Sequence, residues 1–256
     1  MMTMTLPRYE LAPWSLQDLL PSTEETEVSN AIANLEQAVS ALEGSRSVLS
    51  ADIDVPTFLA FLEKYETVMR TAYKLAAYAS LWFSADTQSQ DALGFKGKVD
   101  QLMLDAQNRT LFFSLWWKEL DDDVATRLMS ESGDIAYYLQ EMRNFKPYTL
   151  SETEEQLINL KDVNGINGVL TLYDMITNKF TFEIEVEGEK QQLTREGLMM
   201  YVRHPDPDLR KAAYDELYRV YAAEGTVLAQ IYNYRVRDWA NEQINLRSFK
   251  APISVR

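Results

Sequence analysis

Phe180-Thr181-Phe182-Glu183-Ile184-Glu185-Val186-Glu187-Gly188 alternates apolar and polar residues. That is the period of a half-buried strand, with Phe180, Phe182, Ile184 and Val186 on one face. Gly188 supplies a turn, and Gln191–Leu193 reads as the returning second strand. This hairpin, spanning about 179–193, is the one convincing β signal in the chain. Everything around it carries helical spacing, so the expected fold is mainly α: a multi-helix array with one small hairpin.

Before the hairpin, Ser151 and Glu154 form a capping box that starts a helix running toward Val163. Gly165 and Gly168 bracket the next helix start, and a helix over Gly168–Thr177 follows. After the hairpin, Thr194 precedes a short helix over Gly197–Arg203. Asp206 is then placed to cap, with Pro207 at the first helical position. Leu209, Ala212, Ala213, Leu217, Val220 and Tyr221 give that helix its apolar face. Gly225 interrupts, and Thr226–Gln243 continues helical with Tyr232, Val236 and Trp239 on one side.

Further toward the N-terminus, Trp14–Leu19 reads as a helical turn ending at Pro21. Ser22 and Glu25 are spaced as another capping box, and Val28, Ile32, Leu35, Val39 and Leu42 form one apolar stripe ended by Gly44. Asp54 caps a helix with Pro56 in its first turn and Phe58, Leu62, Tyr65, Met69, Ala72, Ala76 and Ala79 on its buried face. A long helix over Thr87–Leu120 ends in Leu111–Trp117, apolar nearly all round and therefore deep in the core. Asp121-Asp122-Asp123 reads as an acidic helix N-terminus, because the spacing and terminal Glu of a Ca²⁺ loop are missing. A helix over Asp134–Phe145 closes the first unit, and Pro147 breaks the chain. Residues 1–145 are expected to form an N-terminal helical lobe, and 146–256 a helical segment carrying the hairpin.

The chain has 256 residues, 46% hydrophobic, with 9 Gly and 8 Pro, which fits a compact helical protein able to bury a core without staples. Its formal charge of −14, from 39 acidic and 25 basic residues, repels phosphate backbones and argues against nucleic-acid binding. The absence of cysteine removes disulfides, thiol nucleophiles and Cys-ligated metals. No apolar run approaches the ~18 residues of a membrane span, and Met1–Leu11 has no secretion-signal pattern, so a cytoplasmic protein is expected. Asn108-Arg109-Thr110 matches the glycosylation triplet by chance.

His204 is the single imidazole. A zinc helix needs two histidines one turn apart, but Tyr201 and Met200 precede His204 at that spacing, and Pro207 and Asp208 follow it. His204 reads instead as a helix C-terminal histidine. No G-x-S-x-G elbow supports a Ser–His–Asp triad, and Gly94-Phe95-Lys96-Gly97-Lys98 lacks the spacing of a phosphate loop. Glu183, Glu185 and Glu187 alternate on the outer face of the strand and read as solvated. No residue is assigned to catalysis, cofactor binding or metal ligation.

Three blocks in fixed order carry a resemblance: KPYTLSETEEQL over 146–157, FTFEIEVEGE over 180–189 and HPDPDLRKAAYDELY over 204–218. Trp14, Leu16, Asp18 and Leu19 with Pro21-Ser22, and Leu172-Tyr173-Asp174, extend it. The chain resembles the front part of oligoendopeptidase F-type enzymes, a branch of the thimet-like (M3 family) zinc peptidases. The resemblance implies a helical fold with a deep channel that admits short peptides and excludes folded proteins. It also implies Zn²⁺ in the full-length enzyme, held by an H-E-x-x-H helix and a downstream glutamate, none of which this chain contains. Its share would be a wall of the channel, with short peptides as substrates and the catalytic half as partner. The alternatives are a non-enzymatic helical module that binds a peptide or protein, and a metal-free hydrolase using His204.

Overall fold

The computed structural model describes residues 14–255; the expectation drawn from residues 1–11 lies outside the described residues. Leu16–Leu20 makes the expected turn, with the Leu19 and Leu20 amides donating to the Leu16 carbonyl. The first helix, α1 (Glu25–Glu43), begins later than its capping pattern implies. The Ser22 hydroxyl accepts from the Glu24 amide at 3.3 Å, and the predicted box with Glu25 does not form. Two bend residues separate Ser22 from the helix, which puts its oxygen out of reach of the first turn. Glu25 and Glu27 serve that turn electrostatically instead.

Helix α2 (Val55–Ala85) starts at Asp54, whose carboxylate accepts from the Thr57 amide at 2.7 Å. Helix α3 (Gln90–Glu119) starts three residues later than expected because Ser89, not Thr87, supplies the cap. The three helices pack together, and the apolar end of α3 does sit in the core they share. Phe58 stacks on Trp117 at 5.4 Å between ring centroids, and Phe113 lies 5.1 Å from Phe61 and 4.7 Å from Tyr65. On α2, Phe61, Val68, Leu75 and Tyr78 join the buried face, whereas Met69 and Ala76 are only half-buried.

Two arginines tie this lobe together. Arg109 on α3 donates to Glu36 and Glu43 of α1 and to Asp105 of its own helix. Arg143, on α5 (Ala136–Asn144), donates to the Trp117 carbonyl at 2.5 Å, the Leu120 carbonyl at 2.8 Å and Asp122 at 2.5 Å. It thereby satisfies the end of α3 and holds the acidic first turn of α4 (Asp122–Met129). That turn contains Asp122 and Asp123, as the sequence implied.

Beyond Pro147, the Ser151–Glu154 capping box forms at the start of α6 (Glu152–Asn164). Helix α6 packs on α3 through a polar seam in which Asn159 bonds both Asn108 and Gln107. Asn108 is therefore structural. Next come α7 (Ile166–Thr177) and the antiparallel strands β1 (Phe182–Val186) and β2 (Glu189–Leu193). The second strand starts two residues earlier than expected. Glu187 and Gly188 both adopt positive φ, 53° and 85°, the tight hairpin turn that sets Glu189 directly opposite Val186. Phe182 and Ile184 point inward and, with Leu198 of α8 (Arg195–Tyr201) and Ala213 of α9 (Pro207–Ala223), form a small second core. Ala212, expected on the buried face of α9, is exposed. Helix α10 (Gly225–Trp239) runs directly into a π-helix over Ala240–Leu246, which no spacing in the sequence announced.

Candidate functional site

The residues weighed for chemistry do not converge. His204 accepts the Asp206 amide on Nδ1 at 3.1 Å, a turn contact that needs an unprotonated nitrogen. It lies just past the C-terminal end of α8, with its amide donating to the Tyr201 carbonyl at 3.0 Å, as the sequence suggested, and its ring contact shapes the junction before α9. Glu183 pairs with Lys190 across the hairpin and is exposed, as are Glu185 and Glu187. Gly94 and Gly97 lie within α3, with no phosphate-loop geometry. A zinc site needs several converging donors. Among the described residues no group of three or more His, Asp or Glu could hold a metal ion, so those side chains do not fit a zinc ion.

What the second half does present is uncovered apolar surface. Helices α6, α7 and α10 contain no buried residue. Leu157 and Leu160 on α6 are exposed, as are Leu172 and Tyr173 on α7. On α10 two of the three residues of the expected face are open, Tyr232 at 67% and Val236 at 44% exposed, whereas Trp239 is half-buried. Val227 and Tyr234 are exposed on the same helix, and the tilted ring pair Tyr214–Tyr218 stands exposed on α9. Helix α7 packs on both α6 and α10, so these groups lie on neighbouring elements. Beside them, a cavity of about 310 Å³ opens between α3, α6 and α7, lined by Lys96, Asp100, Gln107, Asn167, Thr171 and Asp174 among others.

Charge at the end of this region is organised around Arg247. Its guanidinium donates to both oxygens of Glu155 at 2.7 and 2.8 Å and to Glu242 at 2.7 Å. The Arg247 fork holds the Glu155 carboxyl below the ordinary carboxylate range even though burial pushes it upward. Asp162 behaves oppositely: burial, then the facing carboxylates of Glu242 and Asp238, push it up to about 6. Sequence spacing could not reveal this cluster, because Glu155 and Arg247 are far apart in the chain. The exposed α10 face was visible as an amphipathic pattern; its lack of a cover was not.

Residues 116–182 match a family model described as Oligopeptidase F. Over 224 residues the chain is 24% identical to oligopeptidase PepF of Bacillus subtilis (strain 168), covering 84% of this chain and 32% of that protein. The chain thus spans about a third of this relative's length. The crystal structure of oligoendopeptidase-F from Enterococcus faecium superposes with a TM-score of 0.71 at 19% identity, over 91% of this chain and 46% of that one. A putative peptidase from Chlamydophila abortus gives a TM-score of 0.51 at 15% identity, over 93% of this chain and 40% of that one. Together, the family model, the PepF relative and the shared fold support an N-terminal portion of an oligoendopeptidase F-type peptidase.

Proposed function

We propose that this chain is the N-terminal part of a cytoplasmic, zinc-dependent oligoendopeptidase that hydrolyses internal bonds of short peptides. Residues 1–145 form a helical lobe, and residues 146–256 begin the peptidase domain and contribute one wall of the substrate channel. By itself the chain binds no zinc and cleaves nothing, because its single histidine is occupied in a turn and no donor set surrounds it among the described residues. Nucleic acid and membranes have no part in this function. The formal charge of −14 disfavours the first, and among the described residues no helix is long and apolar enough to cross the second.

The observation that carries this reading is the open face of α10. Its apolar pattern is that of a helix meant to be covered, yet Tyr232 stands 67% and Val236 44% exposed. The greater length of the relative supports this reading, since about two thirds of PepF lies outside the matched part. On this proposal the catalytic half, carrying the H-E-x-x-H helix, docks against α6, α7 and α10. A stand-alone binding module would need no second half of this kind.

The test is to capture the native protein from its source with an antibody to this chain, then measure intact mass and zinc-dependent cleavage of a fluorogenic peptide. A mass well above 29.5 kDa, or a co-captured zinc-binding chain, with cleavage abolished by a chelator, is expected. A mass of 29.5 kDa with no second chain and no cleavage would overturn the proposal.

A further inference from the structure

The π-helix over Ala240–Leu246 is tied by the residue that follows it both to its own turn and to α6. Such winding is rare and mostly confined to single-turn bulges, so a seven-residue run calls for contacts that hold it. Here the holding contact is Arg247, the residue immediately after the run. Its backbone amide donates to the Glu242 carbonyl five residues back at 2.8 Å, and its Nε donates to the Glu242 side chain at 2.7 Å. The same guanidinium reaches across to α6, taking both oxygens of Glu155 and the Tyr148 carbonyl at 3.2 Å. Glu155 is itself anchored, accepting the Leu150 amide at 3.0 Å beside the capping box.

The residues that follow complete the grip. Ser248 sits at φ 64°, a left-handed conformation that is uncommon for a non-glycine residue. It turns the chain so that Phe249, only 3% exposed, stacks on Tyr148 with ring centroids 3.6 Å apart. Phe145 closes the other side at 6.3 Å. Thus one salt-bridged fork and one aromatic plug join the end of α10 to the start of α6.

We propose that residues 240–249 are a conformational latch: the Arg247–Glu155 fork enforces the π-wound turn and fixes the direction in which the chain leaves α10. The alternative state is available to the same residues. With the fork broken, 240–246 rewind as α-helix, and one α-helical residue corresponds to a rotation of about 100°. Phe249 is then carried out of its seat on Tyr148 and Phe145. Packed elements switch between discrete arrangements rather than deforming continuously, so the fork selects one of two states. This inference concerns a device within this chain, and it stands or falls independently of the peptidase reading.

The experiment is hydrogen exchange by mass spectrometry on the full chain, comparing wild type with Arg247→Ala, Arg247→Lys and Glu155→Gln. Charge-assisted bonds of this kind are strong enough that losing the fork should speed exchange across 240–249 about tenfold or more. Protection of α2 and α3 should be unchanged. Arg247→Lys keeps the charge but loses the fork geometry, so it should fall between wild type and alanine. Wild-type protection of 240–249 in a folded Arg247→Ala protein would overturn the latch. Should that variant not fold, Glu155→Gln decides: faster exchange confined to 240–249 upholds the latch, and unchanged exchange there overturns it.

Discussion

The helices up to residue 145 and those after it are built from the same kinds of amphipathic segment, yet they finish differently. In the first, α1, α2 and α3 close around Phe58, Phe61, Phe113 and Trp117, all at most 2% exposed. In the second, only Phe182, Ile184, Leu198, Ala213 and Phe249 are buried hydrophobics among the described residues after 145, and α6, α7 and α10 bury none completely. An amphipathic stripe states that a helix face is meant to be covered; it does not state by what. In the first region the cover comes from neighbouring helices of the same lobe. In the second it is proposed to come from a further part of the peptidase.

The contrast can be broken most forcefully at Trp117. This side chain is fully buried, donates its indole N–H to the Leu139 carbonyl at 2.9 Å and carries Arg143 over its ring. Trp117→Ala should destabilise the chain by about 3–5 kcal/mol, read from urea unfolding. A loss below about 1 kcal/mol would mean that the lobe's core is not where its stability resides.

Phe182→Ala probes the smaller core around the hairpin and should cost about 3 kcal/mol locally. Hydrogen exchange should show the loss in β1, β2 and α9, with α2 and α3 unchanged. Equal loss in all five elements would erase the distinction between the two regions. At the junction, Ser151→Ala removes one half of a capping box and should cost about 1 kcal/mol, measured as a shift in the unfolding midpoint.

Asp162 offers a pH test. The charged groups facing it are Asp238 from α10, Glu242 from the π-helix and Arg247. Its carboxyl is raised to about 6, from about 4 in the unfolded chain, so the folded state favours the neutral form. The stabilisation is therefore full below about pH 4 and is lost as pH rises through about 6. Wild type should lose stability relative to Asp162→Asn across that window, and parallel curves would refute the shift.

The smallest effect is expected on the open face. Tyr232→Ser with Val236→Ser should change the stability of the chain alone by no more than about 0.5 kcal/mol each, because both side chains are exposed. The same pair should reduce co-capture of the zinc-dependent cleaving activity. A destabilisation of several kcal/mol would show that the face is covered within this chain after all.

Legibility in the sequence followed the range of the interactions. The hairpin alternation, the Asp54, Ser151 and Asp206 caps and the buried end of α3 were readable because each is decided within a few residues. The Ser22 cap was misread for the same reason in reverse: the spacing was right, but two bend residues intervened. His204 was read as a helix C-terminal residue and does sit just past the end of α8, but its ring contact with a backbone amide of the following turn was not visible in the spacing.

By itself the sequence determined the helical class, the isolated hairpin and the faces that seek burial, because periodicity and capping are local physics. Only the tertiary structure decided which faces find cover, and that Arg109, Arg143 and Arg247 bind segments distant in the chain. It alone produced the π-wound turn at 240–246, whose cause is a carboxylate on α6. A charged side chain's partner is chosen by the packing of whole helices, and no spacing of residues along the chain encodes that choice.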